Sequence, residues 1–302
     1  MTPVQNTTQS ALRSAARSAT LIGGKGFVGR HLQARLRAEG WHCWVPQRDD
    51  PQLWERDLGH VFYCAGLTAD YAERPFDAVE AHTSLLNRVL RDARYESLVY
   101  LSSTRLYDSL GDSLSGIGAT EDLPLRLAPD NPRHLYDLSK ALGESLCCVA
   151  GQGRARVARL SCVWSAQPDA EGFLPELMRR VLASCGTPGA AQRPRVFVAS
   201  SPHLARDYVH IDDVLSALVA LATQDGFAIY NVASGRNVGN AQLFEGLSRV
   251  SGCELVATQD GIAPTLPRIS VARMANAFGW HPSGVLDRIG RIFEQEYTCS
   301  DS

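Results

Sequence analysis

Short apolar runs alternate with amphipathic stretches along the first 165 residues. Ala19-Thr20-Leu21-Ile22 is an apolar run that meets a glycine cluster, and Arg30 to Glu39 then repeats apolar positions at helical spacing before Gly40 stops it. Trp41 to Pro46, Val61 to Cys64 and Leu98 to Ser103 predict further strands, each ending in polar or small residues. Asp70 to Arg94 predicts a helix whose start Pro75 limits, and Tyr136 to Val149 predicts another. Strands and helices in alternation predict an α/β fold, a right-handed doubly wound parallel sheet, over residues 19–165.

From Gln167 the pattern breaks at Pro168, Gly172, Pro175, Gly186, Pro188, Gly189 and Pro194, which predicts a small C-terminal substrate lobe over residues 166–302. The chain is expected to return to the sheet near residues 209–232, with Asp212-Asp213 opening a helix and Gly226 to Val232 as a late strand. Between Asp108 and Pro132 lies a long Gly-, Ser- and Pro-containing segment; loops of such length in compact domains are often functional, and a lid is expected here. Residues 1–18 are rich in Ser, Thr, Ala and Arg and lack an acid, a faint likeness to a transit peptide; a flexible tail is the expectation.

Composition narrows the function. The 302 residues are 45% hydrophobic and 21% charged, with a formal net charge of −2 and no long basic run, which argues against nucleic acid as the main partner. Eight cysteines are scattered without a Cys-x-x-Cys pair, so no metal site is expected, and a reduced, cytoplasmic protein is the simplest account. Cys147-Cys148 are expected to be buried on their helix, and no segment has the length of a membrane-spanning helix.

Gly23-Gly24-Lys25-Gly26-Phe27-Val28-Gly29 stands between a strand and a helix, the context a Rossmann-type dinucleotide fingerprint requires. Gly23 would allow the tight turn, Gly26 the approach of a pyrophosphate, and Gly29 close packing of helix on strand, with the helix N-terminus facing the anion. The spacing is Gly-x-x-Gly-x-x-Gly, not Gly-x-Gly-x-x-Gly. At the tip of the second strand, Gln47-Arg48-Asp49-Asp50 puts an arginine first, which favours NADP over NAD; otherwise Arg48 is a solvated loop charge.

Tyr136 and Lys140 are four apart and project from one helix face. A lysine ammonium beside the phenol would lower its pKa and make Tyr136 a proton donor and acceptor near neutral pH. Together with the glycine fingerprint, Val61-Phe62-Tyr63-Cys64-Ala65-Gly66 and Leu98 to Tyr107, this pair resembles the extended short-chain dehydrogenase/reductase family. Arg159-Leu160, Arg206 to Val214, Tyr230-Asn231-Val232 and Phe278 to Pro282 are similar to its sugar-nucleotide epimerase/dehydratase branch, so the likeness runs from about Thr20 to Glu294.

The resemblance implies a cofactor site that includes Gly23, Gly26, Phe27, Val28, Gly29, Arg48, Ala65 and Gly66. It implies Ser103 as the hydroxyl orienting the substrate oxygen, Tyr136 as acid/base, and Lys140 as holder of the nicotinamide ribose. Thr104 and Arg206 would contact substrate, Arg206 gripping a diphosphate or else forming a surface salt bridge. Helices covering Asp77 to Leu90 and Tyr136 to Val149 are those this family uses for a homodimer contact.

Some positions depart from the family. His82 replaces an asparagine and is either a proton relay or a structural histidine. Cys162 and Ser165 replace an asparagine and a glycine near the diphosphate, and Cys162 is expected to be a packed thiol. Arg48 to His60 is too short for the usual helix plus strand. Thr104-Arg105 after Ser103 lack the acid pair of a 4,6-dehydratase. An NAD(P)-dependent ketoreductase of a nucleotide sugar, with NADP slightly favoured, leads over an NAD-retaining 4-epimerase resembled by Cys64 to Ala69, and over a non-catalytic dinucleotide-binding regulator.

Overall fold

The computed structural model describes residues 17–67, 70–114, 118–184, 193–262 and 264–300. Its first half runs β1 (Ser18–Ile22), α1 (Phe27–Ala38), β2 (His42–Trp44), α2 (Gln52–Glu55), β3 (His60–Tyr63), α3 (Pro75–Val79), a π turn (Glu80–Ser84), α4 (Leu85–Asp92), β4 (Ser97–Ser103), α5 (His134–Ala150) and β5 (Ala155–Leu160). The second half is β6 (Cys162–Trp164), α6 (Phe173–Ser184), β7 (Arg195–Val198), β8 (Ala205–His210), α7 (Ile211–Ala222), β9 (Ala228–Val232), β10 (Asn237–Gly239), α8 (Asn240–Ser251), β11 (Glu254–Ala257), α9 (Ala272–Phe278) and α10 (Val285–Ser300). The tail expected over residues 1–18 lies outside the described residues except for Arg17 and Ser18, and Ser18 begins β1.

Six parallel strands form the main sheet in the order β2-β1-β3-β4-β5-β9. Their near-continuous apolar runs follow from burial on both faces. On one face, Leu32 and Leu36 of α1 and Val214, Leu218 and Leu221 of α7 pack with Leu21, Phe62 and Val99. On the other, Leu86, Val89 and Cys147 pack with Val61, Tyr100 and Val157. The short stretch after Arg48 has room for four-residue α2 alone, so the next strand, β3, pairs with β1 on the side away from β2. Strand β2 is therefore an edge of only three residues.

Residues after β5 build a second core in which Trp164, Leu174, Met178, Val196, Tyr208, Leu247 and Phe293 are buried together. Strands β10-β8-β6 form one small sheet, and β11 pairs β7 in another. Between them α7 packs onto the main sheet and β9 extends it beside β5.

A buried polar network ties this frame together beneath the strand ends. The Glu144 carboxylate of α5 takes a forked pair of bonds from Arg159 of β5, at 2.9 and 2.6 Å, and a third from the Ser102 hydroxyl at 2.6 Å. Arg159 also donates to the Tyr107 hydroxyl, which donates in turn to Asn231 of β9 at 2.9 Å. Asn231 donates its amide to the Ala119 and Ser270 carbonyls at 3.1 and 3.0 Å and its backbone N–H to Glu121 at 2.9 Å.

The segment after β4 does not stand open as a free flap. Thr104–Leu114 is a 3-10 run kinked at Gly111, where φ is 48°. Ala119 bridges Ile269, and Leu110, Leu123 and Leu125 pack against Tyr107, Ala119, Ala233 and Ile269. Residues 115–117 of the expected lid lie outside the described residues. On α5 the adjacent cysteines divide, Cys147 inward and Cys148 exposed, because neighbours on a helix point about 100° apart. No helix among the described residues is long and apolar enough to cross a membrane.

Candidate active site

Two cavities open at the C-terminal ends of the main strands, where ligands bind in open α/β sheets. The larger, about 720 Å³, is lined by Gly23, Lys25, Arg48, Trp54, Ala65 and Gly66 among others. The glycine turn shapes it. Gly23 has φ +79°, and a Cβ there would lie 2.5 Å from the Ala65 nitrogen; a Cβ on Gly29 would lie 2.6 Å from the Gly24 Cα. Both must be glycine for β1, α1 and β3 to approach. At Gly26, by contrast, a Cβ would meet no protein atom nearer than 3.4 Å.

Helix α1 begins at Gly26 without a side-chain cap and without an acid in its first turn. An elongated trough ending on an uncapped helix N-terminus fits a dinucleotide pyrophosphate. Gly26, Phe27, Val28 and Gly29 form that first turn and do not line the cavity wall itself. At the far rim, Arg48 and Asp49 both line the cavity, while Asp50 is turned away to accept the Gln52 N–H at 3.0 Å. Replacing Gly23 with alanine is expected to weaken NADPH binding by roughly tenfold or more, since the left-handed backbone alone costs an L-residue about 1–2 kcal/mol. A fluorescence titration giving wild-type affinity would show that this turn is not the cradle.

The second cavity, about 190 Å³, brings together Ser103, Thr104, Tyr136, Cys162 and Arg206 with Arg105, Asp108 and Asp207. Ser103 ends β4, and its hydroxyl lies beside the Tyr136 phenol, whose pKa it pulls down. Tyr136 is buried in the first turn of α5, its ring 5.3 Å from Tyr71 and 5.2 Å from His82, edge-on at 90°. Arg105 lies over both Tyr71 and Tyr136, at 4.8 and 5.0 Å from the ring centroids, donates to the Tyr71 hydroxyl at 2.7 Å, and approaches Asp137 at 3.4 Å.

The electrostatics differ from the sequence expectation. Burial pushes the Tyr136 phenol above its ordinary value, against the Ser103 hydroxyl and the Arg105 charge, which pull it down. Lys140 is itself buried, and desolvation lowers its pKa to about 7 although Glu144, one turn on, supports its charge. Its Nζ donates to the Leu101 carbonyl at 2.8 Å and stands 6.0 Å from the Tyr136 ring centre. So the cation bearing most on the phenol is Arg105, which the sequence alone did not single out.

Lys140 lines neither cavity, but it lies directly beneath Gly66, where a Cβ would come within 3.2 Å of Nζ and 3.1 Å of the His82 ring. His82 is fully buried in the π turn. Its Nε2 accepts the Leu67 N–H at 3.2 Å, so Nδ1 carries the proton and donates to Ser139 Oγ at 2.8 Å; Ser139 donates onward to the Tyr136 carbonyl at 2.8 Å. Desolvation and the Lys140 charge hold His82 down at about 3, neutral at any cellular pH. With both nitrogens satisfied, it fixes the 66–67 loop to α5 and is structural.

Arg206, on β8, forms no salt bridge among the described residues, so it is not the surface ion pair considered above; it lines the cavity beside Cys162. Burial pushes that thiol upward, as suits a packed cysteine. Asp207, next to Arg206, is fully committed, accepting from Ser161 at 2.7 Å and from the N–H groups of Ser234 and Arg236 at 2.7 and 3.1 Å. Ser165 is buried outside the cavity, its hydroxyl accepting the Gln167 N–H at 3.0 Å.

A dinucleotide trough beside a Ser–Tyr pair, on strands wound in this order, defines a nicotinamide-dependent enzyme of the short-chain dehydrogenase/reductase class. The chain belongs to the NAD dependent epimerase/dehydratase family, whose model matches residues 19–233. It is accordingly an NAD(P)-dependent oxidoreductase or epimerase. A GDP-6-deoxy-D-mannose reductase of Pseudomonas aeruginosa is 32% identical over 286 residues, covering 87% of this chain and 91% of its own. Among solved structures, RMD from Pseudomonas aeruginosa complexed with NADPH superposes with a TM-score of 0.70 at 25% identity, covering 93% of this chain and 98% of that one. A Thermus thermophilus UDP-glucose 4-epimerase complexed with NAD shares the fold, with TM-score 0.67, 22% identity and coverage of 92% and 98%.

Proposed function

We propose that this protein is an NADP-linked ketoreductase of a nucleotide sugar, with the sugar in the cavity above Ser103 and Tyr136. The observation that carries this is Ser103 and Tyr136 side by side at one end of a small polar cavity whose other wall presents Arg206, an arginine without an ion-pair partner among the described residues. The reductase of Pseudomonas aeruginosa supports reduction as the net reaction.

In this mechanism Ser103 and Tyr136 hydrogen-bond the substrate oxygen, and the phenol gives its proton to that oxygen during reduction. The bound dinucleotide supplies the hydride. Thr104 bounds the sugar, and Arg206 holds the diphosphate with two parallel donors. Lys140 would hold the nicotinamide ribose from beneath Gly66, where a Cβ would come within 3.2 Å of its Nζ. Phe27, Val28 and the glycines fix the pyrophosphate end, Ala65 and Gly66 the floor, and Arg48 reads the 2′-phosphate. Residues 166–302 supply one side of the sugar-nucleotide wall, through β8 and the segment around Leu266 and Pro267.

The direct test is reversal. Purified protein given GDP-6-deoxy-D-mannose and NADP⁺ should produce NADPH, read at 340 nm, and UDP-glucose with NAD⁺ serves as the comparison. A second reading, epimerase with retained NAD, is favoured by Asp49, which shares the rim with Arg48 and could bond ribose hydroxyls. Inverted sugar without net NADPH would establish it.

A cytoplasmic homodimer is part of the same proposal. Leu142 and Val149, seven apart on α5, are 53% and 82% exposed, and Phe76 of α3 is 89% exposed, an apolar face on the helices that pair in this family. Val149→Glu with Leu142→Glu should convert the dimer to monomer in light scattering. A wild-type protein already monomeric at micromolar concentration would refute the assignment.

A further inference from the structure

We infer that Asp108 is a substrate-binding residue, its carboxylate accepting a hydroxyl of the sugar ring held against Ser103 and Tyr136. This rests on the nucleotide-sugar proposal above and adds a specificity determinant to the same cavity.

The argument begins with how acids are housed in this molecule. Glu144 is matched by Arg159 and Ser102, Asp207 by Ser161 and two backbone N–H groups, and Glu121 by the Asn231 N–H. Asp213 accepts from the Ser283 hydroxyl at 2.6 Å and its backbone N–H at 3.1 Å, while Asp137 has only Arg105 at 3.4 Å and its buried Oδ1 takes no hydrogen bond. Asp108 lines the 190 Å³ cavity with Ser103, Tyr136 and Arg206, yet it forms no hydrogen bond or ion pair with any described residue. Unlike Asp137 Oδ1, its oxygens are not sealed in the interior, so a hydroxyl entering the cavity can reach them.

The surrounding charges keep the group poised. Burial and the neighbouring Asp137 push Asp108 up to about 6, while Arg105, Arg206 and Arg133 pull it down. It is therefore mostly ionised at pH 7.5, an acceptor with no donor of its own. A cavity this small, with a reducing pair at one end, has room for a sugar ring, whose hydroxyls are the donors lacking here. Arg206 on the far wall is free to take the phosphates.

Binding of GDP-6-deoxy-D-mannose and of GDP alone, each measured by calorimetry with NADPH-saturated protein, tests this. Asp108→Ala should weaken the sugar nucleotide about tenfold, with Asp108→Asn between it and wild type, because hydrogen bonds to charged groups are worth about 1.5–3 kcal/mol. GDP should bind Asp108→Ala as well as wild type or more tightly. Equal weakening of both ligands would show that Asp108 acts only by holding Arg206, and no change in either would show that it does not touch the sugar. Wild-type protein that binds neither ligand overturns the nucleotide-sugar proposal and this inference with it.

Discussion

Tyr136→Phe is expected to lower turnover by roughly 10²–10⁴-fold, the range of a positioned acid–base group, while NADPH affinity stays within about twofold. The substitution removes one oxygen and leaves the ring on Tyr71 and edge-on to His82, so the packing survives. What goes is the phenolic hydroxyl beside Ser103 and with it the proton donated to the substrate oxygen. Because burial holds this phenol above its ordinary value, the protonated form needed for reduction persists through neutral pH. Reduction should therefore fall only on the alkaline side, and sugar oxidation, which needs the phenolate, should rise with pH. Unchanged turnover in the Tyr136→Phe enzyme, or opposite pH slopes in the wild type, would remove Tyr136 from the mechanism.

Arg159→Met is expected to cost roughly 3–5 kcal/mol of stability, because it strands the Glu144 carboxylate in the interior. Side-chain exposures of 4% for Arg159 and 6% for Glu144 put this pair out of reach of water. Ser102 alone would remain to Glu144, and Tyr107 would lose its donor. Changing Glu144 and Arg159 together to Met and Leu should recover much of the loss, since burying no charge is close to neutral. Urea unfolding of both variants separates these outcomes; a single variant losing less than about 1 kcal/mol would mean the network does not hold β4, β5 and α5 together. Glu144 also supports the charge on Lys140, so activity in the double variant, which lacks that carboxylate, should drop beyond what its folded fraction explains.

The elements that sequence patterning located well are those with strong local signals. Apolar runs marked β1, β3 and β4, the glycine turn marked the start of α1, and the apolar stripe after Asp212 marked α7. Shortness between Arg48 and His60 was equally visible, but its consequence, β3 pairing with β1 on the side away from β2, appears only in the sheet register. Tyr136 and Lys140 could be found because one helix face carries both. The partners of Tyr136 could not. Arg105 stands 31 residues before it and Tyr71 further still, and nothing in their spacing says that the chain folds them into one stack.

The same limit explains the misjudged pKa. Four-residue spacing gives proximity of Lys140 to Tyr136, but burial decides which charge is affordable, and burial is a property of the whole fold. Asp108 was hidden for a related reason. It opens the segment expected to be a lid, in which spacing singled out no residue, whereas the 3-10 turn that follows Ser103 brings it to the cavity.

The central claim is that hydride passes between the sugar and a dinucleotide that exchanges with solution, so the reaction run in reverse must release reduced dinucleotide. GDP-6-deoxy-D-mannose deuterated at the carbinol carbon C4, incubated with protein and NADP⁺, tests it by mass spectrometry of the separated products. Deuterium appearing in free NADPH together with a keto sugar is the result predicted here. A sugar inverted at C4 that keeps its deuterium, with no reduced dinucleotide in solution, would contradict it and make the protein an epimerase.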